Sequence, residues 1–305
     1  MGRDGRDAWA SKWASTALTA EYDRDRLPFQ NNNITAAFTD SIQRKGTSSV
    51  LSDPPVSGRQ RDPAMASLKA NHRPNRLLAA MEHEDFTRID SQLDIADLPR
   101  GKVLYEIGES IQYGYFPHDA VVSLLAVMKD GASAEMAVFG CEGVCGFISA
   151  SVSRRSFGRY VVQVPGRASR IAVEPLQAAF DASMPLRELL RRYTEALLTQ
   201  TFQTVACNAL HNVEAHCCRW ILSTHDRVKR DTLPLTHEFL AEMLGVQRST
   251  LSIITRTLQT AGLISQSRAC ITVQDRASLE DVACECYRTV RRNFERLLPK
   301  THSHG

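Results

Sequence analysis

The sequence predicts an α+β fold: a jelly-roll or cupin-like β-roll, then a long helix, then a C-terminal winged helix-turn-helix. Three patterns support this prediction. Short β-type runs separated by turn residues fill 101–171, which is typical of a jelly roll or barrel. An apolar stripe at helical spacing follows Pro185 and indicates a long helix. Two short helical patterns on either side of Gly245, followed by a hairpin pattern, indicate the third unit.

The predicted boundaries divide the 305 residues into four segments. These are an N-terminal extension at 1–72, the β-roll at 73–183, the long helix at 184–213 and the winged helix-turn-helix at 214–298. The extension contains Gly, Ser, Asn, Pro and scattered charges without a sustained apolar period, which predicts disorder. A second interpretation stays open. Met65 lies just before the first periodic segment, and translation starting there would leave 1–64 unmade.

Composition and charge are those of a soluble protein. The longest apolar stretch, Ala120–Met128, is far shorter than the roughly 20 residues that span a bilayer, and the N-terminus has no secretory signal. We therefore predict a cytoplasmic protein whose eight cysteines are reduced. The net charge of +3 does not by itself indicate a nucleic-acid partner. Residues 219–276 hold eight Lys and Arg against five Asp and Glu, which permits DNA binding.

The β-roll is predicted to be a sensor rather than an enzyme. Its strand patterns are Val103–Tyr105, Tyr113–Phe116, Val121–Val127, Glu135–Phe139 and Tyr160–Val164. Cupin-type enzymes on such a fold need several His and carboxylate ligands that converge in the barrel. The segment 101–171 contains one histidine, His118, which excludes a His-rich metal site there. We interpret His118, in a turn, as a surface residue rather than a haem ligand.

The long helix is predicted to form a homodimer. Pro185 suits a first helical turn, and Leu190, Tyr193 and Leu197 belong to the apolar stripe that follows it. A helix this long must bury its stripe, and a second copy of the helix is an economical partner. The alternative is that the stripe packs on the β-roll of the same chain.

The most informative pattern lies between Thr236 and Leu258. Thr236 is a good N-cap, and Gly245 provides the tight turn that ends the first helix. The second helix begins near Gln247 and keeps Leu251, Ile254 and Leu258 inward. A β-hairpin pattern follows, with a polar turn that includes Arg268. Helix, glycine turn, helix and hairpin together predict a winged helix-turn-helix, the alternative being a helical hairpin without a DNA role.

The predicted DNA-binding residues lie on the second helix and at the wing tip. They are Gln247, Arg248, Ser249, Ser252, Arg256 and Arg268. Gln247 and Arg248 open the helix, at the end that enters the major groove, and their side chains can pair bidentately with adenine and guanine. Arg256 lies two turns further on and is expected to contact phosphate, as is Arg268.

From about Asn75 to Leu298 the chain resembles the Crp/Fnr family of bacterial transcription factors. The resemblance rests on Gly131–Gly146, which contains Gly140-Cys141-Glu142-Gly143, and on the helix-turn-helix at 236–264. It implies a cyclic-nucleotide-binding-like β-roll that senses a signal, a homodimer on a palindromic DNA site, and RNA polymerase as a partner. Ser249 and Ile253 replace a Glu and an Arg of the best-known members, so the operator should differ from theirs.

The resemblance also suggests an effector site, with departures that count against a cyclic nucleotide. Glu142 corresponds to the ribose-binding Glu, but the next Arg-Ser pair, Arg155-Ser156, is thirteen residues on rather than about ten. Thr201 matches a base-contacting Thr, whereas bulky Phe202 replaces the Ser that follows it in cyclic-AMP binders. The effector stays open. So does the alternative of a cyclic-nucleotide-binding or cupin-like adaptor that does not bind DNA.

The cysteines are predicted to be structural. Residues 1–140 contain no Cys, so the N-terminal ligand set of the iron–sulfur members is absent. We interpret the pairs Cys141/Cys145 and Cys217/Cys218 as buried thiols. Cys284 and Cys286 are predicted to point to opposite faces of the C-terminal helix, which would keep both thiols from one metal. We therefore predict no metal site.

Overall fold

A computed structural model describes residues 71–228 and 230–298, so the predicted disorder of 1–70 lies outside the described residues. The helices are α1 (Arg76–Ala80), α2 (His83–Asp90), α3 (Phe147–Val152), α4 (Val173–Ala182), α5 (Met184–Leu210), α6 (Val213–Val228), α7 (His237–Leu244), α8 (Arg248–Thr260), α9 (Arg276–Val282) and α10 (Cys286–Leu297). The strands are β1 (Asp94–Leu98), β2 (Val103–Tyr105), β3 (Tyr113–Pro117), β4 (Val121–Val127), β5 (Ser133–Phe139), β6 (Arg159–Val164), β7 (Gly166–Ala172), β8 (Thr232–Leu233), β9 (Ile264–Ser267) and β10 (Cys270–Val273). Within these ranges no helix has the length and apolar character needed to cross a membrane.

Two antiparallel sheets form the β-roll, which confirms the predicted mixed fold. One sheet has the strand order β1-β7-β3 and the other β2-β6-β4-β5. Alternate residues point between the sheets and fill the roll with aromatic rings. Tyr105 packs edge-on against Tyr160 at a centroid distance of 6.1 Å, and Phe139 lies 5.6 Å from Tyr160. The interior of the roll is therefore a packed core.

Helix α5 closes the β-roll with one of its faces. Ser183 caps its N-terminus by accepting a hydrogen bond from the backbone N–H of Leu186 at 3.2 Å. Leu190 and Tyr193 are fully buried in the same core as the roll's aromatic residues. The Tyr193 hydroxyl donates to the Val144 carbonyl at 3.0 Å and accepts from the Val144 N–H at 3.1 Å. The ring leaves no room for a Cβ at Gly143, so only glycine fits there.

This packing corrects the prediction that Leu190, Tyr193 and Leu197 form the subunit interface. All three are buried against the β-roll of their own chain, which is the alternative that the sequence left open. The opposite face of α5 is the exposed one. It presents Phe202 at 68% exposure and Val205 at 65%, together with half-exposed Leu198.

The C-terminal unit has a second core that includes part of the β-roll. Its helices α6, α7 and α8 pack with a three-stranded sheet of order β8-β10-β9. The same cluster contains Val121, Leu125, Val138 and Val161, which lie on β4, β5 and β6. Helix α10 then returns to pack on α5. The winged unit is thus joined to the roll by a continuous apolar core rather than by a solvent-exposed linker.

Candidate nucleic-acid interface

The first helix of the helix-turn-helix begins and ends at the residues expected from the sequence. The Thr236 hydroxyl accepts a hydrogen bond from the Phe239 N–H at 3.3 Å and caps α7. Gly245 ends the helix at φ +66°, in the left-handed region that favours glycine. The next N–H, that of Val246, then bonds to the Ala241 carbonyl at 3.0 Å. This cap turns the chain sharply into α8.

Helix α8 buries one stripe and exposes the other. Leu251, Thr255 and Leu258 are buried, while Ile254 is only half-buried. Ile254, which the sequence predicts to point inward, is thus less buried than its neighbour Thr255. Thr255 tolerates burial because its hydroxyl donates to the Leu251 carbonyl at 3.0 Å.

The predicted DNA-binding residues of α8 lie on its accessible side. Gln247, Arg248, Ser249 and Arg256 are exposed. Ser252 is half-buried, and its hydroxyl donates to the Arg248 carbonyl at 2.9 Å. Its hydroxyl hydrogen is therefore already in use, which makes Ser252 the weakest candidate of this set for a base contact.

Ile253, which stands where the best-known family members carry an Arg, is 69% exposed on α8. A large aliphatic side chain at this position has no core to pack against. Ser249 precedes it by one helical turn, and Thr257 follows by one turn, so the three share a face. The exposed face of α8 therefore includes one apolar side chain beside its polar and basic ones.

An ion pair links the two helices at the point where α8 begins. Arg248 Nη1 lies 2.7 Å from Glu238 Oε1, and the two side chains are 67% and 62% exposed. Exposed pairs of this kind contribute roughly 0.2–1 kcal/mol and are screened by salt. Arg248 is therefore held in place without being locked, and a phosphate or a guanine edge can replace Glu238.

The hairpin after α8 has the predicted form of a wing. Strands β9 and β10 pair from Cys270 with Ser267 to Val273 with Ile264, which leaves Arg268 and Ala269 as the two-residue turn. Arg268 is exposed at this tip.

A buried polar network lies where α6 meets the sheet of the β-roll. Trp220 Nε1 donates to the Glu135 carboxylate at 3.2 Å, and the Ser123 hydroxyl donates to it at 2.6 Å. The Gln163 amide donates to the same carboxylate at 2.7 Å. Burial raises the pKa of the Glu135 carboxyl, while the Ser123 hydrogen bond and the charge of Arg219 act in the opposite direction.

The four predicted effector residues form hydrogen bonds and ion pairs with other residues of the chain. Glu142 is buried and pairs with Arg227 of α6, whose Nε lies 2.8 Å from Glu142 Oε1. Arg155 donates to the Gly108 carbonyl at 3.0 Å, and Thr201 donates to the Leu197 carbonyl at 3.0 Å. Ser156 is buried. In the described part of the chain no hydrogen bond joins any two of the four.

His118 is buried, not exposed as predicted. Its Nε2 lies 2.7 Å from the Ser169 hydroxyl, which also contacts His72 Nδ1 at 2.7 Å. Burial lowers the pKa of His118 to about 4, and the neighbouring His72 and Arg167 act in the same direction. The surface interpretation failed because the turn that holds His118 packs against β7.

The prediction for Cys284 and Cys286 is also wrong. Helix α9 ends at Val282 and α10 begins at Cys286, so Cys284 lies in the bend between two helices and not on one of them. The bend brings together four side chains, here called the Cys–His cluster: Cys207, His211, Cys284 and Cys286. Their potential ligand atoms all lie within 4.8 Å of one another, which overturns the argument against a metal site. Cys141, Cys145, Cys217 and Cys218 are buried, as predicted.

Comparisons with known proteins agree with this geometry. Residues 215–282 match the family model of the Crp-like helix-turn-helix domain. No curated protein matches the sequence. A solved transcriptional regulator of the CRP family from Thermus thermophilus is similar with a TM-score of 0.53 and 18% identity, over 62% of this chain and 96% of that one. FixK2 from Bradyrhizobium japonicum is similar with a TM-score of 0.51 and 14% identity, over 63% of this chain and 98% of that one.

The chain therefore contains a Crp-like helix-turn-helix domain and has the fold of the Crp/Fnr-type DNA-binding transcriptional regulators. The predicted fold class and the predicted resemblance are confirmed.

Proposed function

We propose that the protein is a homodimeric transcription regulator that binds a palindromic operator in double-stranded DNA under control of a signal sensed by the β-roll. The observation that carries the proposal is the exposed, polar and basic start of α8, in a helix-turn-helix whose other face is buried. A helix presented in this way fits the major groove with its N-terminal residues against base edges. RNA polymerase is the expected protein partner.

The side chains of α8 divide into two kinds of contact. Arg248, with Gln247 and Ser249 beside it, is proposed to read bases, because these residues begin the helix and are exposed. Arg256, two turns further on, is proposed to bind phosphate and to add affinity without specificity. Ile253 suits the methyl group of a thymine, which is the apolar feature of the major groove. Arg268 at the wing tip is a second phosphate ligand.

The exposed face of α5 supports the dimer. Leu198, Phe202 and Val205 recur at helical spacing and remain exposed in the single chain. A second copy of α5 covers such a stripe with a matching one. The two α8 helices would then read half-sites whose centres are about 34 Å apart, or one helical turn.

Control by the β-roll is proposed to act through the shared core. Strand β5 contributes Glu135 and Val138 to the packing of α6 and α7, so a change in the roll alters the support of the helix-turn-helix. The buried pair of Glu142 and Arg227 forms a second connection. An effector needs no contact with DNA to change the position of α8.

The test begins with selection of DNA from a random pool by the full chain, followed by anisotropy titrations at several salt concentrations. We expect enrichment of a two-fold symmetric sequence. Arg248→Ala should weaken operator binding by about 1–3 kcal/mol per half-site and relax one base preference. Arg256→Ala should weaken all sequences alike and make the salt slope shallower by about one unit per subunit.

Lys102→Ala is the matched control, because Lys102 is an exposed cation on the β-roll. It should leave the operator affinity unchanged. If no sequence were enriched, the chain would be a sensor or adaptor without DNA function. If Arg248→Ala weakened operator and scrambled DNA equally, the start of α8 would bind phosphate and not bases.

A further inference from the structure

The Cys–His cluster lies at the joint between the long helix and the winged unit. Cys207 is on the last turn of α5, and His211 caps that helix four residues later, so both side chains project from one face. Cys284 and Cys286 approach from the bend between α9 and α10. We propose that the Cys–His cluster binds a single Zn²⁺ ion and so ties α10 to the end of α5.

The interatomic distances fit a four-coordinate ion. Cys207 Sγ lies 3.5 Å from Cys284 Sγ, and Cys286 Sγ lies 3.4 Å from His211 Nδ1. Zinc bonds of about 2.3 Å to sulfur and 2.0–2.1 Å to nitrogen place tetrahedral ligands about 3.8 Å apart for two sulfurs and about 3.6 Å apart for sulfur and nitrogen. All four ligand atoms lie within 4.8 Å of one another, so their separations exceed those tetrahedral values by no more than about 1 Å.

The residues around the ligands orient them as a metal site requires. His211 Nε2 lies 3.1 Å from Glu285 Oε2, which leaves Nδ1 to face the sulfurs. A carboxylate bound to the outer nitrogen of a ligand histidine fixes the ring and its tautomer. Gln203 Nε2 donates to Cys286 Sγ at 3.0 Å, a contact that favours the thiolate.

The three cysteines of the Cys–His cluster are buried, but their surroundings differ from those of an ordinary apolar core. Cys207 and Cys286 are fully buried and Cys284 is 6% exposed, yet the three sulfurs pack with one another and with Ala215 outside the two large cores. A buried cysteine is usually a small hydrophobe among aliphatic side chains. Here Cys286 contacts His211 and Gln203, and Cys207 and Cys284 contact each other, which indicates a polar occupant.

A buried cation nearby matches the charge of the proposed site. Binding of Zn²⁺ to three thiols releases their three protons to solvent and leaves a zinc–thiolate centre of net negative charge. The Arg219 guanidinium is buried, and within the described residues its Nε and Nη2 have no hydrogen-bond partner. Arg219 follows Ala215 by one helical turn, and Ala215 packs against the Cys–His cluster. An anionic centre would offset the cost of burying this cation.

The donor set identifies the class of metal and of site. Three thiolates and one imidazole are soft ligands that suit Zn²⁺ better than Mg²⁺ or Ca²⁺, which prefer oxygen. With four protein ligands no position stays open for water, as in structural zinc sites. The ion would hold the α5–α6 joint and the start of α10 together and would stabilise the fold by its binding free energy. This inference does not depend on DNA binding.

The test measures zinc in the full chain purified in the presence of a reductant without oxygen. We expect one equivalent of zinc per chain by mass spectrometry of the metal. Cys286→Ser should lose that zinc, and Cys270→Ser should keep it, because Cys270 lies on the wing, away from the Cys–His cluster. Cobalt added to the metal-free chain should give a thiolate charge-transfer band that Cys286→Ser weakens.

A conservative variant separates metal binding from folding. Glu285 is exposed, so Glu285→Gln should keep the fold while weakening zinc about 10–100-fold in a chelator competition. The proposal is overturned if the wild-type chain holds no more zinc than Cys286→Ser, or if its cobalt complex lacks the thiolate band. A disulfide between Cys207 and Cys284 in the reduced preparation, in place of bound metal, would also overturn it.

Discussion

Replacing Arg227 by Met should destabilise the protein by about 3–5 kcal/mol, because it leaves the Glu142 carboxylate buried without a counter-ion. The guanidinium makes three hydrogen bonds, to Glu142 Oε1 at 2.8 Å, to the Ser223 carbonyl at 2.6 Å and to Gln200 Oε1 at 2.9 Å. The side chains of Arg227 and Glu142 are only 9% and 6% exposed. Methionine keeps most of the aliphatic stem that packs on Gly140 and removes only the charged group.

The matched control is Arg159, which is paired with Glu106 at a nearly equal distance of 2.9 Å but is 38% exposed. Because water screens that pair, Arg159→Met should cost no more than about 1 kcal/mol. The measurement is urea unfolding followed by tryptophan fluorescence and circular dichroism. Adding Glu142→Gln to Arg227→Met should recover part of the loss, since it removes the unpaired charge. An Arg227→Met cost equal to that of Arg159→Met would show that water reaches the Glu142 carboxylate.

The long helix, the recognition helix and the buried histidine each give a further test. Phe202→Glu should yield folded monomers by light scattering, whereas Leu190→Glu should unfold the chain by placing a charge in the β-roll core. If the Phe202→Glu variant remained a dimer, the subunit interface would lie on another surface. Glu238→Gln should tighten operator binding at low salt by up to about 1 kcal/mol, because Arg248 then has no ion pair with Glu238 to break before it contacts DNA. An unchanged operator affinity would contradict this role of Glu238. Burial lowers the pKa of His118 to about 4 in the folded state, below its unfolded value of about 6.5. The stability that this histidine contributes is therefore complete above pH 6.5 and should fall towards pH 4 by about 1.4 kcal/mol per pH unit. His118→Asn should make this pH dependence of the unfolding free energy shallower in urea titrations, and an equally steep dependence would exclude the histidine as its cause.

The helix-turn-helix could be predicted because its signals are local. The Thr236 cap and the Gly245 turn act within one or two helical turns, and the hairpin register depends on a two-residue turn. A single sequence displays such signals in full. The same is true of the strand patterns of the β-roll, whose order in the sheets nevertheless depends on long-range pairing.

The partner of α5 could not be predicted in the same way. Periodicity shows that a stripe is apolar, but it does not say what covers the stripe. Helix α5 has two such faces, one containing Leu190 and Tyr193 and the other containing Phe202 and Val205. The choice between them depends on the fit of the Tyr193 ring over Gly143, fifty residues earlier in the chain, which no local pattern records.

The Cys–His cluster was missed for two reasons. The pattern after Val282 predicts one continuous helix, whereas the chain bends there, and Cys207 lies 77 residues from Cys284. One local signal was present. Cys207 and His211 are four residues apart on a helical pattern, the spacing that turns two metal ligands to one face. A Cys-x-Cys elsewhere in the chain would then have been a natural candidate for the remaining ligands.

Helix α6 connects the Cys–His cluster, the β-roll and the helix-turn-helix. Ala215 at its start packs on the Cys–His cluster, Trp220 in its middle bonds to Glu135 of β5, and Arg227 near its end pairs with Glu142. At 1.5 Å per residue these three attachments span about 18 Å of one rigid element. Because α6 also packs on α7, it cannot shift at one attachment without straining the other two and moving the support of α8. A signal in the β-roll and a metal at the joint would therefore act on the same helix. Loss of the attachment at the Cys–His cluster or of one at the β-roll should change the mobility of α8.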